Sequence, residues 1–318
     1  MKDNHGRKID YIRISVTDLC NLRCKYCMPE KGVEKKQHFE IISFEEIENI
    51  IRAGVSLGIK KVRLTGGEPL VRKGIVSLVE KIRSVSQDID IAMTTNAVLL
   101  SKYAGELKEA GLNRVNISLD TLKKDKYKDI TRGGDISEVF KGIEAAKKNG
   151  LFPIKMNVVL IRGFNSDEID DFVDMTIKED IEIRFIELMP FGQNAYEYSE
   201  NKYISNEEIL KSMPQLEKTE DKSSRVCKYY RMPKAKGKIG LISPTSGKFC
   251  DKCNRIRITS DAKIKPCLHS NEEIDIREMV IDGYSYEEIL KVAMNNKPEM
   301  HKLDERIFTS REMNRIGG

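Results

Sequence analysis

Between residues 10 and 190, short runs rich in Ile and Val alternate with longer stretches whose apolar residues recur every three or four positions. The short runs are typical of β-strands and the longer stretches of amphipathic helices. The predicted strands are Asp10–Thr17, Lys60–Gly66, Ile89–Asn96, Arg114–Asp120, Pro153–Ile161 and Glu182–Met189. The predicted helices are Ser43–Leu57, Gly74–Ser84, Ser101–Ala110, Ser137–Asn149 and Ser166–Lys178. Repeated strand–helix units indicate a parallel sheet, either doubly wound or closed wholly or partly into a barrel.

The ends of the predicted helices carry residues that are typical of caps. Ser43 and Glu46 have the spacing of a capping box, and Ser101 and Ser137 stand where N-caps are expected. A glycine follows three of the helices, where a left-handed residue closes the last turn: Gly58, Gly111 and Gly150.

Polar and apolar residues alternate along the predicted strands, whereas a strand of an ordinary parallel sheet is apolar on both faces. The polar positions are Arg13, Ser15, Thr17, Arg63, Thr65, Asp90, Thr94, Asn96, Asn116, Ser118, Asp120, Lys155 and Asn157. If helices cover the outside, this polar face points into a barrel whose cavity holds a large polar ligand. An antiparallel sheet with one solvated face is the alternative. Helices rather than tight turns separate the strands, which favours the barrel.

The composition changes after Met189 and Pro190, and we divide the chain there into residues 1–190 and 191–318. Residues 191–236 show little periodicity and are interpreted as a linker with some local structure. The later predicted elements are the strands Lys238–Ser243, Arg255–Thr259 and Lys263–Pro266 and the helices Ile274–Asp282 and Ser285–Asn295. The pattern predicts an α/β fold, a partial TIM-like barrel of six strand–helix units with a smaller C-terminal α+β extension.

The composition is that of a globular protein with a sizeable core, since 40% of the 318 residues are hydrophobic and 33% are charged. We expect no membrane span, because no run of eighteen uncharged apolar residues occurs. The first residues lack the apolar stretch of a signal peptide, which predicts a cytoplasmic protein. The net charge of +5 is spread along the chain and favours an anionic small molecule over nucleic acid.

Six of the seven cysteines form two groups of three, and the seventh, Cys227, is interpreted as incidental. An odd number of cysteines without an export signal favours metal ligation over disulfides. The first group, Cys20, Cys24 and Cys27, has the spacing C-x3-C-x2-C directly after the first strand. Three thiolates on one loop suit a [4Fe-4S] cluster with one iron open for a small molecule. A zinc site completed by His38 is the alternative, although the spacing is unusual for zinc.

The second group, Cys250, Cys253 and Cys267, has the spacing C-x2-C-x13-C in a hairpin-like segment. Its three thiolates suit a second cluster, whose open iron would hold a substrate. The alternative is a zinc ribbon completed by His269 or Cys227.

Five cations are predicted to surround one cavity. Arg255 and Arg257 flank Ile256, so their guanidinium groups share one face of a strand. The other three are predicted on the barrel side: Arg13, Arg63 and Lys155. Clustered cations are costly unless a polyanion neutralises them, and guanidinium groups bind phosphate in bidentate fashion. A nucleoside triphosphate is therefore a candidate ligand, although no Walker-type loop occurs. The alternative is that these are solvated surface charges.

The first cysteine group, with Tyr26 before its last cysteine, resembles the signature of radical S-adenosylmethionine (SAM) enzymes. The segment Thr65-Gly66-Gly67-Glu68-Pro69 is similar to the GGEP element of that family. The resemblance implies a barrel of the radical SAM type, with a cluster on the first cysteine group that cleaves SAM. It implies that Glu68 and neighbouring backbone engage the methionine amino group. The residues implied to contact SAM are Tyr26, Gly67, Ser118 and Met189.

Longer stretches resemble one subfamily, the GTP 3′,8-cyclases of molybdenum cofactor biosynthesis. They cover nearly the whole chain and include DLCNLRCKYCMP, RLTGGEPL, MTTNA, NISLDTL, IKMNVVLIRGFN, FIELMP and FCDKCNRIRIT. The terminal Gly317-Gly318 is also a feature of this subfamily, where the tail is thought to reach the active site. Leu19 departs from the arginine expected in many relatives but leaves the cluster ligands unchanged.

This resemblance implies a lyase that converts GTP to 3′,8-cyclo-7,8-dihydro-GTP, the first step of molybdenum cofactor biosynthesis. A 5′-deoxyadenosyl radical removes the hydrogen from ribose C3′, and the C3′ radical adds to guanine C8. The implied cofactors are SAM and two [4Fe-4S] clusters, the second cluster holding the guanine. The residues implied to bind GTP are Arg13, Arg63, Thr94, Lys155, Arg255, Ile256 and Arg257. Those implied to act in catalysis are Arg13, Lys155, Arg255 and Arg257.

The implied partners are an electron donor of the flavodoxin or ferredoxin type and, downstream, cyclic pyranopterin monophosphate synthase. The resemblance allows a homodimer and implies no nucleic acid or membrane. Two other classes of protein are alternatives to a GTP 3′,8-cyclase. A peptide-modifying radical enzyme usually has more C-terminal cysteines, and a non-enzymatic zinc or electron-transfer protein gives no reason for the GGEP element.

Overall fold

The computed structural model describes residues 1–34, 36–191, 201–221 and 224–317, and its strands form one sheet. The strands are β1 Tyr11–Ser15, β2 Lys61–Thr65, β3 Asp90–Thr95, β4 Arg114–Ser118, β5 Lys155–Leu160, β6 Glu182–Glu187, β7 Glu217–Lys218, β8 Lys228–Arg231, β9 Lys238–Ile242, β10 Arg255–Ile258, β11 Lys263–Lys265 and β12 Ile274–Asp275. Their order across the sheet is β12-β11-β10-β1-β2-β3-β4-β5-β6-β9-β8-β7.

Helices connect most of these strands. They are α1 Phe44–Ser56, α2 Ile75–Val85, α3 Leu100–Glu109, α4 Lys124–Ile130, α5 Ile136–Lys148, α6 Ile169–Lys178, α7 Asn206–Ser212, α8 Ile276–Ile281, α9 Tyr286–Asn295 and α10 Met313–Ile316. The predicted strands and helices are confirmed to within a few residues. Helix α4 was not predicted, because it is short and buries only Tyr127 and Ile130 among charged neighbours.

The helix ends confirm some of the predicted caps and correct others. The Ser43 hydroxyl accepts from the Glu46 N–H at 3.0 Å, and the Glu46 carboxylate accepts from the Ser43 N–H at 2.6 Å, which confirms the capping box. The N-caps predicted at Ser101 and Ser137 are wrong. Helix α3 starts before Ser101, and the Asp135 carboxylate caps α5 by accepting from the Ser137 N–H at 3.0 Å. Positive φ angles confirm three predicted helix ends: Gly58, Gly111 and Gly150.

Strands β1 to β6 pair in parallel, and the C-terminal region adds one more parallel strand on each side. Strand β10 lies beside β1, and β9 lies beside β6. The C-terminal region therefore extends the barrel sheet. The sequence-based interpretation of residues 191–236 as a linker is wrong for the parts that form α7 and β8, which belong to the packed fold. Residues 192–200, 222 and 223 of this stretch lie outside the described residues.

The sheet curves so that its polar face lies inside. Arg13 on β1, Lys155 on β5 and Arg184 on β6 share the inner face and are each less than 9% exposed. A flat sheet would leave this face open to solvent, so the strands curve around these side chains. The apolar face, with Ile12 and Phe185, is fully buried in one core with the helices. The predicted inward polar face is confirmed, and the antiparallel alternative is wrong.

Among the helices of the described ranges, none combines the length and the apolar sequence that crossing a bilayer requires.

Candidate functional site

The first cysteine group lies on the loop that leaves the C-terminal end of β1. Its three residues are half-buried free thiols. The loop is held by backbone hydrogen bonds, such as those from the N–H groups of Cys27 and Met28 to the Cys24 carbonyl, both 3.0 Å. Burial raises the pKa of Cys20 to about 11 and that of Cys27 to about 12. Binding of iron would displace these thiol protons.

Three free thiols on one loop have the donor chemistry of an iron–sulfur cluster. In the described part of the chain, no three His, Cys, Asp or Glu side chains could together hold one metal ion. His38 is exposed and forms no three-ligand metal group with these cysteines in that part of the chain. A [4Fe-4S] cluster takes its thiolates on separate irons, and these three cysteines would hold it with one iron open.

The GGEP element packs directly on the start of the cysteine loop. The Gly67 N–H donates to the Thr17 carbonyl at 2.8 Å, and the Glu68 N–H donates to the Leu19 carbonyl at 2.9 Å. A Cβ atom on Gly67 would overlap the carbonyl oxygen of Leu19. The glycine is therefore needed for close contact between two loops of the protein.

The Glu68 side chain is held by hydrogen bonds from its own loop and from the end of β3. Its carboxylate is fully buried and accepts from the Thr95 hydroxyl and the Asn96 N–H, both 2.7 Å, and from the Leu70 N–H at 3.1 Å. Burial raises its pKa to about 7. The carboxylate thus fastens the end of β3 to the GGEP loop, and its pairing with the methionine ammonium stays a prediction.

The other residues predicted to contact SAM lie at the same edge of the barrel, where the parallel strands end. The Tyr26 hydroxyl donates to the Asp120 carboxylate. Ser118 is the last residue of β4, and Met189 follows β6; both are half-buried. These assignments stay predictions.

The predicted cations lie on the inner face. Arg13 is aligned between Arg63 and Arg257 in the sheet register. Arg13, Arg257 and Lys155 are each less than 9% exposed, so the alternative of solvated surface charges is wrong for these three. Burial lowers the pKa of Lys155 to about 8, that of Arg63 to about 9 and that of Arg257 to about 10. A polyanionic ligand would relieve this electrostatic cost.

The side chain of Ile256 does not lie with these cations. It is aligned with Ile12 and is fully buried on the apolar face. The prediction that Ile256 binds GTP can therefore apply only to its main chain.

A carboxylate at the start of β6 was missed by sequence reasoning. Glu182 is 2% exposed and accepts from Lys155 Nζ at 2.8 Å, from the Tyr229 hydroxyl at 2.7 Å and from Arg184 Nε. The alternation of Glu182 and Arg184 in the sixth predicted strand was a signal for this cluster. Tyr229 carried no such signal, because it lies in the stretch interpreted as a linker.

Several buried polar atoms on the inner face have no hydrogen-bond partner among the described residues. They are the hydroxyl groups of Tyr11 and Thr94, the Nε atoms of Arg63 and Arg255, and Oδ1 of Asn157. Buried polar groups are nearly always paired, so such a concentration on one face indicates a ligand-binding surface.

The second cysteine group lies beside these cations. Cys250 and Cys253 bracket a short 3-10 turn before β10, and Cys267 follows β11. The ammonium group of Lys297 donates to the carbonyls of Arg255 and Pro266, both at 2.9 Å, and so ties these two segments together.

Neither His269 nor Cys227, the two residues of the zinc-ribbon alternative, forms a three-ligand metal group with these cysteines within the described ranges. The His269 ring stacks on Phe191 with 5.3 Å between centroids. Cys227 is buried and packs against Gly240. A Cβ atom on Gly240 would lie 2.5 Å from the Cys227 sulfur and 3.1 Å from Cγ of Arg184, so Cys227 lies beside the Arg184 side chain.

The C-terminal tail enters the barrel mouth. The Gly317 carbonyl accepts from Arg257 Nη1 at 2.8 Å. Gly317 has a φ of +76°, and a Cβ atom there would lie 2.7 Å from Cγ2 of Thr65, so glycine is needed. Gly318 lies outside the described residues.

Two family descriptions match this chain: the radical SAM superfamily over residues 14–176 and Molybdenum Cofactor Synthesis C over residues 181–303. The GTP 3′,8-cyclase of Alkaliphilus oremlandii (strain OhILAs) is 52% identical over 321 residues, with 100% of both chains covered. That of Peptoclostridium acidaminophilum is 52% identical over 318 residues, covering 99% of this chain and 98% of the relative. The chain belongs to the GTP 3′,8-cyclase family. This family lies within the radical SAM superfamily.

Solved structures agree with the radical SAM fold of this GTP 3′,8-cyclase family member. Streptococcus suis SuiB bound to S-adenosylmethionine gives a TM-score of 0.61 at 18% identity, covering 89% of this chain and 68% of SuiB. A second SuiB structure gives 0.58 at 17% identity, and there the chain spans 62% of SuiB. The structure of histidine-tagged anSMEcpe with bound AdoMet gives 0.57 at 15% identity, covering 95% and 80% of the two chains.

Membership in the GTP 3′,8-cyclase family confirms that the protein is a radical SAM enzyme with SAM and two [4Fe-4S] clusters as cofactors. The predicted partial barrel with a C-terminal extension is confirmed as well. The alternative of a non-enzymatic zinc or electron-transfer protein is wrong. The division at residue 190 stays a prediction.

Proposed function

We propose that this protein converts GTP to 3′,8-cyclo-7,8-dihydro-GTP in the first step of molybdenum cofactor biosynthesis. The observation that carries the proposal is the inner face of the barrel. Buried cations and unpartnered polar atoms lie there between the two cysteine groups, where a nucleoside triphosphate would satisfy them. Identity of about 50% over the full chain to proteins named GTP 3′,8-cyclase supports the same substrate.

The two cysteine groups and the inner face of the barrel would have different roles in the reaction. When bound, the first cluster and SAM supply an organic radical that can take a hydrogen atom from GTP. The second cysteine group would hold the cluster that faces the guanine. The protein supplies position, charge and exclusion of water.

The GTP-binding residues we propose are those predicted from the sequence: Arg13, Arg63, Thr94, Lys155, Arg255, the main chain of Ile256, and Arg257. Strands β1 and β10 are neighbours, so the arginines on both face one ligand while the same two strands carry the two cysteine groups. The Arg257 contact with the Gly317 carbonyl closes the ligand surface on the side of the tail. The four predicted SAM contacts complete the site: Tyr26, Gly67, Ser118 and Met189.

We further propose the setting in which the enzyme works. All seven cysteines are free thiols, which suits the reducing cytoplasm. Reduction of the first cluster would come from a flavodoxin- or ferredoxin-type protein, and cyclic pyranopterin monophosphate synthase would act downstream. We keep the homodimer and the division into residues 1–190 and 191–318 as parts of this proposal.

The first test is anaerobic turnover. Protein reconstituted with iron and sulfide is given dithionite and SAM, and 5′-deoxyadenosine is measured with GTP, with ATP and with neither. Stimulation by GTP alone, with loss of GTP, is the expected result. Cleavage of SAM that is indifferent to the nucleotide would keep the radical enzyme but refute the GTP assignment.

Two variants and one control test whether Arg255 and Arg257 bind GTP. Arg257→Ala and Arg255→Ala are expected to lower GTP turnover while both clusters assemble. Arg162→Ala removes a half-exposed guanidinium paired with Glu208 and should leave turnover unchanged. Wild-type turnover in the Arg255 and Arg257 variants would remove both residues from the site.

A further inference from the structure

Tyr11 is a buried aromatic residue on the ligand-facing side of the barrel that the sequence-based assignments did not include. It is the first residue of β1 and is 7% exposed. It is aligned with Lys61 on one side and Arg255 on the other. Arg13 lies two residues further along the strand, so its side chain shares the same face.

The ring of Tyr11 lies between two of the proposed GTP-binding cations. The guanidinium carbons of Arg63 and Arg255 are each 5.5 Å from its centroid. The face of an aromatic ring attracts a cation, and here it meets one on either side. The ring thereby stabilises two guanidinium groups that would otherwise repel each other.

The hydroxyl of Tyr11 lacks an acceptor. It is buried and has no hydrogen-bond partner among the described residues. The neighbouring guanidinium groups are donors only, so they cannot take the phenolic proton. The acceptor must come with the ligand, and an anionic oxygen suits a position surrounded by positive charge.

We propose that the Tyr11 hydroxyl donates a hydrogen bond to a phosphate oxygen of the bound nucleoside triphosphate, while its ring orients Arg63 and Arg255 toward the same phosphates. This inference rests on the proposed function and deepens it. Tyr11 is thus a substrate-binding residue that contacts the phosphate chain.

The test is equilibrium binding of GTP and of guanosine to the reconstituted holoenzyme, measured anaerobically by calorimetry without reductant. Tyr11→Phe removes the hydroxyl and keeps the ring, and should weaken GTP binding about tenfold, since the lost hydrogen bond is to a charged group. Its affinity for guanosine should not change. Tyr230→Phe, on β8 among the apolar core residues, is the control and should change neither affinity.

A second variant tests the ring. Tyr11→Leu removes hydroxyl and ring together and should weaken GTP binding beyond Tyr11→Phe, again without an effect on guanosine. Iron content and circular dichroism establish that each variant is folded. GTP binding in Tyr11→Phe equal to that of the wild type would overturn the inference, as would an equal loss for GTP and guanosine. Failure of the fully loaded wild-type protein to bind GTP would instead overturn the proposed function itself.

Discussion

Replacing Glu182 with Gln removes one negative charge from the inside of the barrel and changes little else. The carboxylate of Glu182 is 2% exposed and faces Lys155 Nζ at 2.8 Å, Arg184 Nε and the Tyr229 hydroxyl. In Glu182→Gln the side chain keeps its size, but two buried cations lose the anion between them. The variant should therefore lose stability through charge and not through packing.

The size of the loss follows from the pKa of Glu182. Burial opposes its ionisation, but the charges of Arg184 and Lys155, with hydrogen bonds from Lys155 and Tyr229, lower its pKa from 4.5 to about 2. At about 1.4 kcal/mol per pH unit, the ionised carboxylate stabilises the fold by about 3 kcal/mol. Removing one partner of a buried ion pair costs about 3–5 kcal/mol, which agrees.

The assay is urea unfolding of Glu182→Gln and wild type, followed by circular dichroism. Glu144→Gln, which breaks a surface ion pair with Lys147, is the control and should cost less than about 1 kcal/mol. Because the pKa is depressed in the folded state, the stabilisation is complete above pH 4.5 and is lost as the pH falls toward 2. A loss for Glu182→Gln no larger than the control, or one that persists unchanged at pH 3, would refute the reasoning.

Two further predictions concern the first cysteine loop. Gly67→Ala would place a Cβ atom against the carbonyl oxygen of Leu19. The variant should lose about 1–3 kcal/mol of unfolding free energy, and the displaced loop should bind less iron. Gly105→Ala, inside α3 with its nearest neighbour 3.5 Å away, should instead raise stability by up to about 1 kcal/mol; thermal unfolding and iron content distinguish the two. Cys20→Ser should abolish SAM cleavage, whereas Cys227→Ser should retain the wild-type iron content. Cleavage by the Cys20 variant, or loss of iron from the Cys227 variant, would contradict the cluster assignment.

The sequence predicted the barrel well because each strand–helix unit carries its own periodicity. The capping box at Ser43 and the glycines after α1, α3 and α5 depend on contacts within a few residues, so the sequence alone predicted them. The pairing of β9 with β6 and of β10 with β1 has no local signal. It depends on which strand edges remain open after the first six strands have assembled.

The candidate site also combines features that the local sequence predicts with features that depend on distant strands. Strand alternation predicted the inward position of the cations, and cysteine spacing predicted two cysteine groups beside β1 and β10, where the structure has them. The partners of the Glu68 carboxylate could not be predicted, because Thr95 and Asn96 lie at the end of β3, far from Glu68 in the sequence. The counter-charge from Glu182 and the position of Tyr11 between two arginines likewise arise only when distant strands meet.

The pairing of β1 with β10 has a consequence for how the chain folds during its synthesis. Tyr11 is aligned with Arg255, more than 240 residues later. At about 5–20 residues per second, translation leaves the outer edge of β1 uncovered for about 10–50 s. An open strand edge invites pairing with other chains, and such distant pairing is slow to form. The outer edge of β1 therefore closes only after β10 has been made, whereas the first cysteine loop can already pack on the GGEP element, which is made much earlier.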